Sequence, residues 1–159
     1  MAIYSDRTLM DLAGRGIIIS ENFSPDSLTP NGYDLRVGSV RLPGLNDSNE
    51  AEIPPMTFFH VSTMECMNMP GDAMGEIWIR STYARKGIIG SFGAVDSGFR
   101  GNLTLAFLNA SSVPIKISRG ERIAQIVFHC TDHEVEKKYQ DRSGNYQDSR
   151  GIVTGSEKA

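Results

Sequence analysis

From Ile17 onward the chain is punctuated: apolar residues recur with a period of two in short runs, and glycine or proline interrupts them. A period of two places alternate side chains on opposite faces, the signature of β-strands. Ile17–Ser20, Thr57–Ser62, Glu76–Arg80, Leu103–Leu108, Val113–Ile117 and Ile123–Phe128 read as strands. In Glu76–Arg80, Ile77 and Ile79 share one face, and Trp78 and Arg80 the other. Many short strands with Gly and Pro between them predict an all-β fold, a sandwich, jelly roll or distorted barrel. One helix precedes them. Ser5 can cap it, Asp6 suits its positive end, Leu9, Met10, Leu12 and Ala13 supply its apolar pairs, and Gly14 and Gly16 stop it. Leu42–Pro55 is polar with Pro and Gly at its ends, and reads as a surface loop.

The chain has 159 residues, enough for one self-sufficient core. Residues 1–136 read as that body. Residues 137–159 are polar, with Tyr139 and Tyr146 among Gly, Ser, Asn, Asp and Arg, and bury little by themselves. Two tyrosines with Arg142 and Arg150 on a glycine-spaced support suit an arm that closes on a ligand by stacking and anion contact, and a frayed terminus is the plainer reading.

The formal net charge is -3 and no run of Lys or Arg exists, so a nucleic-acid polymer is not the expected partner. A small phosphorylated ligand needs only a few placed cations. No apolar run is long enough to span a bilayer and nothing reads as a secretory leader. With Cys66 and Cys130 far apart, a reduced cytoplasmic setting is expected. His129, Cys130 and His133 cluster, but a zinc site usually has paired ligand groups and only one group is present. The H-x-E and P-C-x-x-C pattern of zinc deaminases is absent.

Four segments carry the chemistry. In Asn31–Gly38, NGYDLRVG, an Asn-Gly turn leads into a strand with Asp34 near its start. In Ile79–Ile88, IRSTYARKGI, a strand ends in Arg80 and Ser81 and a turn carries Arg85, so two guanidiniums and a hydroxyl can converge on phosphate oxygens. In Phe92–Ser111, two β runs flank a Gly-rich turn beginning at Asp96, a hairpin-like signal, and Asp96 suits orienting a water or a sugar hydroxyl. In Gly120–Phe128, Gln125 shares a strand face with Ile123 and Val127 and needs a partner if buried. Taken singly, each has a structural reading as well: a turn carboxylate, a solvated loop, a capping aspartate, an inter-strand hydrogen bond.

In order and spacing these segments, with the tail YQDRSGNYQDSRGI, resemble the motif set of the dUTPase and dCTP deaminase superfamily from about Asn31 to Ile152. GYDLR and GERIAQIVF are similar to both branches, and RSTYAR resembles the deaminases' R-S-S-L-A-R. GSFGAVDSGFRGNLTLAFLNAS and GNYQDSRGI most resemble dUTPases within the deaminase-like branch, known from archaea. The resemblance implies a distorted, jelly-roll-like dUTPase barrel and a homotrimer whose sites draw on neighbouring chains. It implies triphosphate contacts from Arg80, Ser81 and Arg85, and a 3′-hydroxyl and water contact from Asp96. Gln125 would lie near the α-phosphate, Thr104, Leu105 and Ala106 would line the base pocket, and Tyr139, Asn145, Tyr146, Gln147 and Ser149 would belong to the arm. Asn145 stands where lysine is common in the deaminases and Ser149 where glutamine is, and the Gly-rich arm of classical trimeric dUTPases, with its phenylalanine, is absent.

One position separates the two activities. The deaminases carry a glutamate where this chain has Ala106, in LTLAF. Deamination at C4 needs a group that moves protons, and losing one typically costs about 10²–10⁴-fold in rate. Pyrophosphate release needs an aligned water and neutralised phosphates instead. The expected activity is therefore dUTP hydrolysis to dUMP and pyrophosphate, with Asp96, Gln125 and Arg85 catalytic and Mg²⁺ carried mainly by the nucleotide. Asp34 is a weaker candidate for holding metal-bound water. A dCTP deaminase, alone or bifunctional, and a non-catalytic nucleotide-binding module are the alternatives.

Overall fold

The computed structural model describes residues 2–155; Met1 and residues 156–159 of the polar tail lie outside the described residues. Helix α1 (Asp6–Gly14) is followed by β1 (Ile18–Glu21), a short helical turn at Pro25–Ser27, β2 (Leu28–Thr29), β3 (Gly32–Arg41), β4 (Glu50–Ile53), β5 (Thr57–Asn68) and β6 (Ala73–Ile79). A single turn, α2 (Ser81–Ala84), leads to β7 (Ile88–Ser91), β8 (Ala94–Val95), β9 (Arg100–Asn109), β10 (Ile115–Ser118), β11 (Arg122–Cys130) and α3 (Tyr139–Arg142). The fold is all-β with a short N-terminal helix, as its periodicity requires. Ser5 accepts from the Thr8 amide to start α1, and Leu9 anchors the helix in the core.

The main sheet runs β7-β9-β5-β3-β11-β6-β8, with β1 added to β5 and β2 to β3; β10 and β4 pair separately. Its curl comes from strands that change partners. The first part of β3 pairs with β11 through Tyr33–Arg36, and its second part with β5 through Val37–Arg41. Register shifts between Val37 and Ser39, Ser62 and Cys66, and Arg122 and Ala124 accompany these changes. Such irregularities bend strands and let a sheet roll into a half-barrel. At Gly32 the approach is close: an added Cβ would sit 2.6 Å from the Ile126 carbonyl oxygen, so only glycine fits there.

The rolled sheet encloses two apolar clusters. Phe59, Val61, Leu105, Phe107 and Ile123 belong to one, with the Phe59 and Phe107 rings stacked 5.2 Å apart. Tyr33, Leu35, Met67, Ile126 and Phe128 belong to the other. In β9 this turns Leu105 and Phe107 inward and leaves Thr104 and Ala106 on the opposite face.

Three sequence expectations need correction. Leu42–Pro55 is not all loop, because β4 lies within it and pairs Ile53 with Ile115 of β10. Ile53 is fully buried there between exposed glutamates and prolines, a pattern too short and polar to announce itself. The runs around Asp96 do not form a hairpin with each other. Strand β8 pairs with β6, whereas β9 pairs with β5 and β7. Gln125 does not share a buried face with Ile123, since the irregularity between Arg122 and Ala124 breaks the alternation; Gln125 is part-exposed and donates to the Thr29 hydroxyl at 2.9 Å.

Candidate active site

The sheet leaves a cavity of about 380 Å³ beside β9, walled by Asn102–Ala106, by Phe92–Asp96 and by the tail. That volume is in the range of small-molecule sites. The turn after β8 puts Asp96 at its edge, closed by a hydrogen bond from the Phe99 amide to the Asp96 carbonyl at 3.1 Å. The Asp96 side chain is exposed, and among the described residues it is the only carboxylate lining the cavity. Thr104 and Ala106 face the space; Leu105 borders it but packs its side chain in the core. Phe92 forms one wall and stands edge-on to Phe107, ring centroids 5.2 Å apart.

The tail lies along the start of β9. Tyr139 donates its amide to the Ser97 carbonyl at 2.9 Å and sets its ring edge-on to Phe99 at 5.4 Å. Gln147 donates to the Gly98 carbonyl at 3.1 Å, Asp148 pairs with Arg100 at 2.9 Å, and the Ser149 carbonyl accepts from the Asn102 amide at 2.9 Å. Gly101, at φ +133°, permits this: a Cβ there would fall 2.8 Å from the Ser149 backbone. Farther on, the Val153 amide donates to the Thr104 hydroxyl at 2.9 Å, and Arg41 donates to the Ile152 carbonyl at 3.2 Å. Tyr139, Tyr146 and Ser149 thus line the cavity, while Asn145 and Gln147 border a second hollow formed by the tail, which Tyr146 and Ser149 also line.

The other expected site residues form a separate group. Asp34, 4 % exposed, pairs its Oδ2 with Arg80 at 2.9 Å and faces Arg122 at 3.8 Å. Burial pushes its carboxyl up, and the two guanidiniums pull it down. Gln125 opposes Asp34 across β11 and β3. Ser81 opens α2 and Arg85 caps its end, both exposed. Among the described residues none of Asp34, Arg80, Ser81, Arg85 and Gln125 lines the cavity that holds Asp96. Two guanidiniums beside one carboxylate oxygen also make Asp34 a poor fit for metal-bound water. Among the described residues no three His, Cys, Asp or Glu side chains gather as a metal site.

Sequence reasoning missed His60. It lines the cavity on β5, opposite Ala106 of β9. Burial, then the Arg41 charge, lowers its pKa below the ordinary value. Its strand was readable and its parity placed it opposite Phe59 and Val61. That β5 would lie against β9 was not readable.

Residues 40–131 match the dCTP deaminase-like family model. A dCTP deaminase of Thermococcus kodakarensis is 41 % identical over 155 residues, covering 94 % of this chain and 98 % of that protein. A probable deoxyuridine 5′-triphosphate nucleotidohydrolase of Sulfolobus islandicus rod-shaped virus 1 is 30 % identical, covering 98 % of this chain and 99 % of that one. The crystal structure of a 2′-deoxycytidine 5′-triphosphate deaminase from Agrobacterium tumefaciens superposes with a TM-score of 0.70 at 24 % identity. That match covers 82 % of this chain and 49 % of that one, so the chain spans about half its length. Among the described residues no helix is long and apolar enough to cross a membrane. Matched along most of its length to relatives at this identity, the chain belongs to the dCTP deaminase-like family.

Proposed function

We propose that this chain hydrolyses dUTP to dUMP and pyrophosphate, with the nucleoside held in the cavity beside β9. The observation that carries the reading is the pairing of Asp96 with Ala106. The cavity offers one carboxylate at its edge, and a methyl group where the resembled deaminases have glutamate. Asp96 would hold the 3′-hydroxyl and orient a water. The water oxygen bonds to the α-phosphorus, the bond to the β-phosphate bridging oxygen breaks, and pyrophosphate leaves with that electron pair. The water's proton passes to Asp96 or solvent. Mg²⁺ enters as part of the substrate, neutralising phosphate charge. Arg80, Ser81, Arg85 and Gln125 would meet the phosphates, and because they stand apart from Asp96 in one chain, a complete site would form between chains, in keeping with a homotrimer.

A second reading, deamination of dCTP alone or followed by dUMP release, is favoured by the names of the Thermococcus relative and the Agrobacterium structure. It needs a proton carrier at the base, which Ala106 cannot be. Incubation with Mg²⁺ and dUTP, followed for pyrophosphate and dUMP, tests the first reading; folded protein that leaves dUTP intact defeats it. Ammonia released from dCTP would establish the second.

A further inference from the structure

Four strands carry a row of side chains across the cavity face of the sheet. Arg41 of β3 opposes His60 of β5, His60 opposes Ala106 of β9, and Ala106 opposes Ser91 of β7. Directly opposed residues point to the same side, with Cβ atoms about 4.5–5.5 Å apart. Ala106 ends at its Cβ, so the imidazole reaches past it, and His60, Ala106 and Ser91 all line the cavity. Phe58 sits edge-on to the His60 ring at 4.7 Å and 87°, limiting its rotation. On the other side stands Arg41, held by Asp47 and by the Ile152 carbonyl.

A guanidinium has only donors. It opposes a second proton on the neighbouring imidazole and favours the tautomer whose lone pair faces it, which leaves the ring N–H turned toward the cavity. Besides Arg41 no other titratable side chain sits in the row; Asp96, Tyr139 and Tyr146 line the same cavity from outside that row. The cavity is also graded. Asp96, Asn102 and Ser149 give polar contacts toward the start of β9, while Phe92 and Ala106 give apolar walls at the His60 end, beside Ser91. A nucleoside would place its sugar at the first and its ring at the second.

Resting on the dUTP reading above, we propose that His60 is the specificity-determining residue for the base, its ring N–H directed at the 4-position of the pyrimidine. The carbonyl of uracil accepts that hydrogen bond. The amino group of cytosine is a second donor and cannot, so cytosine leaves a polar group unpaired.

Calorimetric titration of dUMP and dCMP into wild type, His60→Leu and His60→Gln tests this without turnover. Wild type should prefer dUMP by about tenfold, the size expected of one hydrogen bond made or lost. His60→Leu should erase the preference by weakening dUMP, and His60→Gln, which offers both a donor and an acceptor, by strengthening dCMP. The proposal is overturned if His60→Leu or His60→Gln keeps the wild-type preference, if both nucleotides weaken equally, or if wild type binds neither. Ammonia release from dCTP that disappears in His60→Leu overturns it as well, by making the imidazole a proton carrier. Failure of the dUTP reading appears separately, as no pyrophosphate from dUTP, and leaves the binding comparison intact.

Discussion

Asp96 and His60 stand on two walls of one cavity and were unequally visible beforehand. Asp96 opens a Gly-rich turn between β runs, so its exposure at a loop edge follows from local chemistry. His60 is one member of an alternating strand, and its neighbour Ala106 lies far along the chain, so only strand pairing brings them together. Asp96→Asn keeps the shape and removes the carboxylate proposed to orient the water. Pyrophosphate release should fall about 10²–10⁴-fold while dUMP binding by calorimetry persists; an active variant would remove Asp96 from the mechanism. His60 also sets a stability trend. As pH falls through 6.5, its ordinary value, the unfolded chain takes up a proton that the folded one resists, because burial and Arg41 lower the folded pKa. The unfolded state then binds more protons, and stability falls as pH drops through that window. His60→Leu should therefore lose less Tm than wild type between about pH 7 and about pH 5, measured by thermal melts in matched buffers. Glu65 is fully buried, accepting from Tyr33 at 3.2 Å and from Arg36 at 3.0 and 2.7 Å. Glu65→Gln leaves the Arg36 charge without its counter-ion and should cost about 3 kcal/mol in denaturant unfolding.

Element by element, the period of two located most strands, because alternation is a local property set by each strand's buried face. It failed where neighbours decide the outcome. The β4 run was hidden in a polar stretch because what buries Ile53, its partner strand β10 and the core cluster, lies elsewhere in the chain. The hairpin expectation failed because β8 and β9, though joined by a tight turn, pair with different strands. The tail shows the same dependence. Its composition cannot build a core, yet hydrogen bonds to the Gly98 carbonyl, the Asn102 amide and the Thr104 hydroxyl place it along β9 and over the cavity. Removing residues 137–159 should keep the strand signature in far-UV circular dichroism, since the two apolar clusters draw mainly on the body. It should lower kcat/KM for dUTP at least roughly tenfold, because the cavity loses Tyr139, Tyr146 and Ser149. Unchanged kinetics would remove the tail from the site.

In the molecule as a whole, the residues expected to hold phosphate and those expected to hold the nucleoside were grouped by motif order in the sequence, but one chain keeps them apart. Motif order reports which residues a family retains, not which chain each serves. If a site forms between copies, Asp96→Asn and Arg80→Ala proteins, each inactive alone, should regain activity when denatured together and refolded as a mixture. Sedimentation should give the mass of three chains. An active monomer, or a mixture with no recovery, would place the site within one chain. The most direct test uses wild-type protein with Mg²⁺, presented in parallel with dUTP and with dCTP and followed for both pyrophosphate and ammonia. Pyrophosphate and dUMP in equal amounts from dUTP, with no ammonia from dCTP, is the predicted result. Ammonia from dCTP while dUTP stays whole would contradict the account at its centre.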